Sequence, residues 1–330
     1  MNQTKIKRRV AVLVAFGVIS LWAGVRFGST WMPLADFWGA IARRTGYELQ
    51  TVILYAVRLP RVLAAVVAGA GLSLSGVLLQ TVTDNPLAAP NLIGVNAGAG
   101  FGMVLLLAVV PTALSLMAPV AFLGAFLTAL AIASLSARST SRAALILAGV
   151  AVSTALNAAI SCFTYADADL LASFNAFSVG GFAGVGMDEL VLPAIAVALC
   201  AVACVLLGDR MDLLCLGDAT ARLLGVRVRA LRLACVLCAS IAAASAVSFA
   251  GLLGFVGLIV PHMARRLFGY RTRILAVSSC VMGAIVCVLA DLVGRIVAAP
   301  SEIPVGIMMA LVGAPFFLWL LVRREGRMSE

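Results

Sequence analysis

The stretch from Arg58 to Gly102 constrains the fold more than any other part of the chain. Two arginines bracket a Leu-Pro pair at its start, and about twenty uncharged residues follow, the length that an α-helix needs to cross a bilayer. The polar sequence Asp84-Asn85-Pro86 then interrupts the apolar run. Glycines recur beyond it at every fourth position, a spacing that lets membrane helices pack closely. They are Gly94, Gly98 and Gly102.

The composition indicates a polytopic membrane protein. Hydrophobic residues make up 63% of the 330 residues and charged residues 12%. Apolar stretches of spanning length recur from end to end, so we predict an all-α fold with about ten transmembrane helices in a single membrane domain, residues 1–330. The predicted spans are residues 10–27, 60–80, 92–110, 114–136, 143–163, 190–208, 232–250, 252–268, 274–297 and 305–322.

The net charge of +10 follows membrane topology. Lysines and arginines before the first span predict that the amino terminus stays in the cytoplasm, and an even number of spans then returns the carboxyl terminus there. Counting alternate loops places all but six of the 24 basic residues inside, which indicates a lipid bilayer and not nucleic acid as the partner. The six are Arg26, Arg43, Arg44, Arg58, Arg61 and Arg295.

Several chemistries are disfavoured by the residues present. Both lysines, Lys5 and Lys7, precede the first span, so a phosphate-binding loop of the G-x-x-x-x-G-K-[ST] type is absent. Asp291 and Arg295 form the clearest intramembrane ionisable pair, with either a structural or a transport role for Asp291. The eight cysteines lie mostly in apolar spans, where packing is a better explanation than metal binding. No nucleophile–base arrangement indicates a membrane enzyme.

Residues 217–229 interrupt the apolar pattern on the predicted inner side. Asp218 is predicted to cap a short helix over residues 219–224, and Gly225 to end it in a left-handed turn. Leu223 and Leu224 lie beside Arg222 in this segment. It can be a solvated connection or a docking element for a subunit that supplies energy, and we favour docking.

Six stretches of the sequence carry a family resemblance. They are RLPRVLAAVVAGAGLSLSGVLLQ, NPLAAPNLIGVNAGAGFG, STSRAALILAGVA, GDATARLLGV, GFVGLIVPHMARRLFG and SEIPVGIMMALVGAPFFLWLL, and they extend from Arg58 to Arg324. In this order they resemble the permease subunits of bacterial binding-protein-dependent ABC importers for ferric siderophores, haem and vitamin B12. This is the iron-chelate/cobalamin (FecCD/BtuC-like) permease family of type II importers.

The resemblance implies a BtuC-like ABC permease fold with ten transmembrane helices in the bacterial cell membrane. It also implies a second permease subunit, as a homodimer or close heterodimer, and an extracytoplasmic substrate-binding protein. Two cytoplasmic ATPase subunits would bind ATP and Mg²⁺, so this chain itself is expected to bind no cofactor or metal and to be no enzyme. A ferric siderophore is the expected cargo, with haem and cobalamin as alternatives.

The resemblance further implies roles for single residues. The resemblance assigns docking of the binding protein to Arg58, Arg61 and Arg295. The other interpretation of Arg58 and Arg61 is that their side chains extend to lipid headgroups, which is called snorkelling. The cytoplasmic gate comprises Asn85, Leu87, Thr140 and Ser141. The pore and outer gate include Asn157, Ser161, Gly180 and Gly181. ATPase coupling is assigned to Gly217, Asp218, Ala219, Arg222, Leu223, Leu224 and Gly225.

An ion-coupled secondary transporter built from internal repeats is the alternative function. Such carriers usually bury several ionisable groups near the middle of the membrane. This chain has few acidic residues in its apolar spans, and its outward arginines and inner coupling segment favour the importer.

Overall fold

The computed structural model of the chain describes residues 3–136 and 143–325. Throughout these ranges the regular structure is helical. A π-helical turn at Ile53–Arg58 joins α3 to α4, and 3₁₀ turns lie at Pro90–Ile93 and Leu114–Leu116. The α-helices are α1 Gln3–Arg26, α2 Leu34–Ile41, α3 Glu48–Val52, α4 Leu59–Thr83, α5 Val95–Val109, α6 Met117–Ser136, α7 Ala143–Ala166, α8 Ala168–Val179, α9 Met187–Leu214, α10 Asp218–Leu223, α11 Val228–Ala250, α12 Val256–Phe268, α13 Thr272–Val297 and α14 Val305–Glu325.

Each of the ten predicted spans coincides with a helix, and the all-α, multi-pass character is confirmed. Seven helical segments of the described residues are long and apolar enough to cross a membrane. The apolar parts of α5 and α14 are shorter, and α12 has only 13 residues. Length and composition therefore do not confirm the number of about ten transmembrane helices, which stays a prediction.

Helix α4 is the centre of the bundle. It packs against α9, α11, α12 and α13, and most of its side chains are buried. Gly69 faces Gly283 of α13 so closely that a Cβ atom on either one would overlap the carbonyl group of the other. Gly76 approaches the backbone of Gly257 in α12 in the same way. The predicted packing role of the glycines is therefore confirmed, because backbones meet where side chains are missing.

The glycines at every fourth position, Gly94, Gly98 and Gly102, have the same role between α5 and α6. A Cβ on Gly98 would meet the carbonyl of Gly124, and a Cβ on Gly124 would meet that of Gly98. Gly102 lies close to the carbonyl of Val120 one turn further along. These glycines thus form a surface on which α5 packs against α6.

We predict that Gly69→Ala lowers the stability of the folded protein. The new methyl group would collide with the Gly283 carbonyl, and overpacking of this kind costs about 1–3 kcal/mol. The measurement is the midpoint of thermal unfolding in detergent, followed by tryptophan fluorescence. Gly254→Ala is the matched control, because a Cβ at Gly254 meets no atom within 4 Å. Equal midpoints for the two variants would contradict the packing role.

Candidate functional site

The three arginines predicted to dock a binding protein lie close to one another, and two of them pair with one buried carboxylate. Asp291 of α13 is 1% exposed and accepts hydrogen bonds from Arg61, with Nη2–Oδ1 at 2.9 Å and Nε–Oδ1 at 3.0 Å. Its other oxygen pairs with Nε of Arg295 at 3.0 Å. A buried ion pair resists the loss of a partner, because the remaining charge would be uncompensated. Asp291 therefore fixes α4 against α13, and its structural interpretation fits this geometry.

Arg58 and Arg295 also bind the end of α1. Arg58 donates to the carbonyl oxygens of Arg26 and Thr30, both at 2.7 Å, and Arg295 donates to those of Gly24 and Phe27, both at 3.1 Å. The last carbonyl groups of a helix lack partners within the helix. Two guanidinium groups thus cap α1 and hold it against α4 and α13.

Glu302 is a member of this cluster that the sequence analysis missed. It lies in the loop between α13 and α14, and its Oε2 accepts a bond of 2.5 Å from Nη1 of Arg61. Burial alone would raise the pKa of the Glu302 carboxyl, but hydrogen bonds from Arg61 and Ser29 hold that pKa below its ordinary value. Glu302 is therefore ionised at neutral pH. An acidic residue soon after Arg295 in the chain was the available signal.

The side chains of the predicted docking arginines are engaged within the chain. Arg58 is 3% exposed, Arg61 7% and Arg295 2%. The snorkelling interpretation of Arg58 and Arg61 is wrong, because their partners are protein groups and not lipid headgroups. Their docking role stays a prediction, and it would require that some of the present partners be exchanged.

The predicted outer-gate loop borders the same cluster. A cavity of about 350 Å³ lies between them, lined by Arg61, Glu302, Gly180 and Gly181 among others. The Gly181 N–H donates to the carbonyl of Ala250 at 2.8 Å, and the Gly306 N–H donates to that of Gly180 at 3.3 Å. Gly180 has φ +70°, a conformation that favours glycine. Hydrogen bonds therefore hold the loop to the last residue of α11 and to the first turn of α14.

Asn157 and Ser161 lie on an exposed face of α7. Both side chains are exposed, and the Ser161 hydroxyl donates to the backbone carbonyl of Asn157 at 2.9 Å. Apolar side chains of the same helix are open as well, including Leu147 at 68% and Val150 at 53% exposure. This face of α7 is therefore left uncovered by the described part of the chain.

At the carboxyl-terminal end of α4, the predicted gate loop forms a compact turn. The Leu87 N–H donates to Oδ1 of Asn85 at 3.0 Å, and Asp84 ends α4 in a left-handed conformation, φ +52°. The other two predicted gate residues, Thr140 and Ser141, lie outside the described residues.

A buried glutamine that the sequence analysis missed supports this turn. Nε2 of Gln80 donates to the carbonyl oxygens of Ala88 and Gly257, both at 3.2 Å, and Arg265 of α12 donates to Oε1 of Gln80. Gln80 is 3% exposed. One amide therefore connects α4, the gate loop and α12. The one amide side chain in a mostly apolar helix was the signal.

The coupling segment contains the short helix α10. It begins at Asp218, one residue earlier than predicted, so the expectation that Asp218 caps it was wrong. Gly217 holds the cap position because its φ of +93° suits only glycine, and the Asp218 carboxylate instead accepts a bond of 2.7 Å from Arg232. Gly225, with φ +82°, follows the helix in the predicted left-handed conformation.

The outer surface of α10 is apolar. Leu223 is 89% exposed and Leu224 56%, whereas Ala221 on the opposite side is fully buried. Ala219 and Arg222 are also exposed. The described part of the chain therefore leaves two neighbouring leucines uncovered at this helix.

The described residues also bear on metal chemistry. Within residues 3–136 and 143–325, no group of three or more His, Cys, Asp or Glu side chains is placed to hold a metal ion. The eight cysteines are free thiols, four of them buried.

Comparisons with known proteins agree on one family. The FecCD transport family matches residues 13–323. The probable iron chelatin transport system permease protein of Helicobacter pylori J99 is 38% identical over 84% of this chain and 84% of its own length. The vitamin B12 import system permease protein BtuC of Vibrio cholerae is 35% identical over 90% of this chain and 88% of its own length.

A solved structure has the same fold along nearly the whole chain. It is an inward-facing conformation of a metal-chelate type ABC transporter, with a TM-score of 0.84 and 31% sequence identity. The alignment covers 98% of this chain and 100% of that one. From the family match and these relatives, the chain belongs to the FecCD transport family.

Proposed function

We propose that this chain is the permease subunit of a binding-protein-dependent ABC importer that moves an iron chelate into the cytoplasm. It would pair with a second permease subunit, in a homodimer with ten transmembrane helices per chain and all termini in the cytoplasm. Two ATPase subunits, which bind ATP and Mg²⁺, would supply the energy, and an extracytoplasmic binding protein would deliver the cargo.

The observation that carries this proposal is that two chemically different groups of residues lie toward opposite ends of α13. Near its start, the Thr272 N–H donates to the carboxylate of Asp212 at 2.9 Å, close to α10 with its exposed leucines. Near its end, Arg295 belongs to the outer arginine cluster, about 35 Å away at 1.5 Å per helical residue. An apolar surface at one end and a basic cluster at the other suit an ATPase inside and an acidic protein outside.

The cargo is proposed to be a ferric siderophore, with haem and cobalamin as the other members of the class. Relatives named for iron chelatin and for vitamin B12 support a bulky metal chelate, and the few polar groups on the open face of α7 suit a large cargo held weakly. Asn157 and Ser161 would line the path. Gly180 and Gly181 would close it outside, and Asn85, Leu87, Thr140 and Ser141 would close it inside.

Transport itself provides the first test of the proposal. Proteoliposomes that contain the chain and its ATPase subunits should take up a radiolabelled ferric siderophore only when ATP and the loaded binding protein are both present. The matched control omits the ATPase subunits and imposes a proton or sodium gradient. Uptake in that control would contradict the proposal and favour an ion-coupled secondary transporter.

We predict that Leu223→Asp weakens binding of the ATPase subunit. A charge on a side chain that is 89% exposed would be buried in the interface, and the loss of such a contact costs about 2 kcal/mol, or roughly 30-fold in affinity. Leu224→Asp should add to the effect. The measurement is retention of the ATPase in a pull-down from detergent.

Leu49→Asp is the matched control for the coupling helix. Leu49 is 69% exposed and lies in α3, at the arginine-cluster end of the chain. Retention of the ATPase by Leu223→Asp, or its release by both variants, would contradict the coupling role of α10.

We predict that Arg58→Gln combined with Arg61→Gln weakens docking of the binding protein at least about 10-fold, because two cationic partners for its carboxylates are lost. Glutamine avoids the like charges that glutamate would place beside Asp291. Arg58→Lys combined with Arg61→Lys is the control that keeps the charge. Affinity is measured in lipid nanodiscs, with ATPase assembly as the check of folding. Unchanged docking of the glutamine variant would refute the role of these arginines.

A further inference from the structure

The outer cluster carries more positive than negative charge. Within the described parts of the chain, its arginines form ion pairs with two carboxylates, those of Asp291 and Glu302. Arg58 is bound by backbone carbonyl groups of residues 25, 26 and 30. Arg26 is buried beside Arg58, which binds its backbone carbonyl, and it adds a fourth positive charge to those of Arg58, Arg61 and Arg295. A surplus of two positive charges in a largely buried cluster is complementary to an acidic partner.

The two carboxylates differ in how firmly they are held. Asp291 lies inside α13, is 1% exposed and pairs with two arginines. Glu302 lies in a loop, and its side chain is 29% exposed. It meets Arg61 through one nitrogen and borders the cavity beside the outer-gate loop. Glu302 is therefore the carboxylate that can leave Arg61 without breaking the link between α4 and α13.

We propose that Glu302 is an exchangeable internal ligand of Arg61, which a carboxylate of the extracytoplasmic binding protein replaces on docking. This proposal rests on the docking role of Arg61 proposed above. Removing one partner from a buried ion pair is strongly destabilising, because it leaves a buried charge unpaired. Exchange of one carboxylate for another avoids that state. The buried position of Arg61 is thereby compatible with a role in docking.

The loop that carries Glu302 also reaches the outer gate. The N–H of its neighbour Ile303 donates to the carbonyl of Gly294 at 3.1 Å. Four residues beyond Glu302, the Gly306 N–H donates to the carbonyl of Gly180. Gly306 is packed so closely that a Cβ there would overlap the carbonyl of Val179. Release of Glu302 would therefore loosen a loop that leads directly into the first turn of α14, and that turn holds the outer-gate loop.

The exchange is tested with Glu302→Gln, which keeps the shape of the side chain and removes its charge. The probe is the substrate-binding protein encoded beside the gene for this chain, with affinity measured on the permease–ATPase complex in nanodiscs. Glu302→Gln should bind it about 5-fold more tightly, because a competing ion pair worth roughly 1 kcal/mol is gone. The gain should vanish when Arg61→Gln is present as well, since both changes act on one pair.

Glu189→Gln is the matched control, because Glu189 is an exposed acid in the first turn of α9 and its loss changes the net charge equally. Equal gains from both variants would show a general charge effect and overturn the exchange. Weaker binding by Glu302→Gln would also overturn it, since Glu302 would then be a contact of the partner. Failure of the unaltered complex to bind would overturn the proposed function itself, and the exchange with it.

Amide hydrogen exchange gives a second readout that does not depend on affinity. Docking of the binding protein should speed exchange at Ile303 and Gly306 several-fold, because the loop loses its bond to Arg61. Glu302→Gln should show the faster exchange without any partner, and Glu189→Gln should not. Unchanged protection of residues 303–306 in Glu302→Gln would overturn the link between Glu302 and the outer-gate loop.

Discussion

The close approach of α4 to its neighbours is the constraint on which the rest of the structure depends. Gly69 meets Gly283, and Gly76 meets Gly257, with backbone against backbone in each contact. Lipid tails are as apolar as leucine, so packing between membrane helices draws on van der Waals contact more than on the hydrophobic effect. Helices this close have no free space in which to slide past each other. The centre of the bundle is therefore rigid, and any change of shape must arise at its ends.

Buried charge is concentrated at one of those ends, where it performs two tasks. Asp291 joins α4 to α13 through Arg61 and Arg295, and the guanidinium groups of Arg58 and Arg295 satisfy the last carbonyl groups of α1. Burying charged groups of this kind costs free energy, and their ion pairs offset that cost only when every partner is present. The cluster is thus firm in its core, around Asp291, and exchangeable at its edge, at Glu302. This difference between Asp291 and Glu302 allows one set of arginines to serve both folding and recognition.

The spans could be predicted from sequence because an apolar run of sufficient length is a local property. The short helices α2, α3 and α8 were not predicted, since they depend on how the outer loops fold back on the bundle. The partners of Arg61 could not be predicted for the same reason, as Asp291 lies 230 residues away and Glu302 lies 241. Their predicted position outside the membrane suggested that Arg58, Arg61 and Arg295 face a partner protein. Only the packed structure shows that Asp291 and Glu302 already bind Arg61.

Helix α13 connects the two ends of the molecule. It begins beside the coupling segment, where Thr272 binds Asp212, and its last turns carry the ion pair of Asp291 with Arg295. Between them, Gly283 is locked against Gly69 at the middle of α4. A helix of 26 residues held at both ends and in the middle moves as one body with α4. It therefore joins the end of α9 to the arginine cluster as one rigid element, and the Glu302 loop follows directly on its last turn.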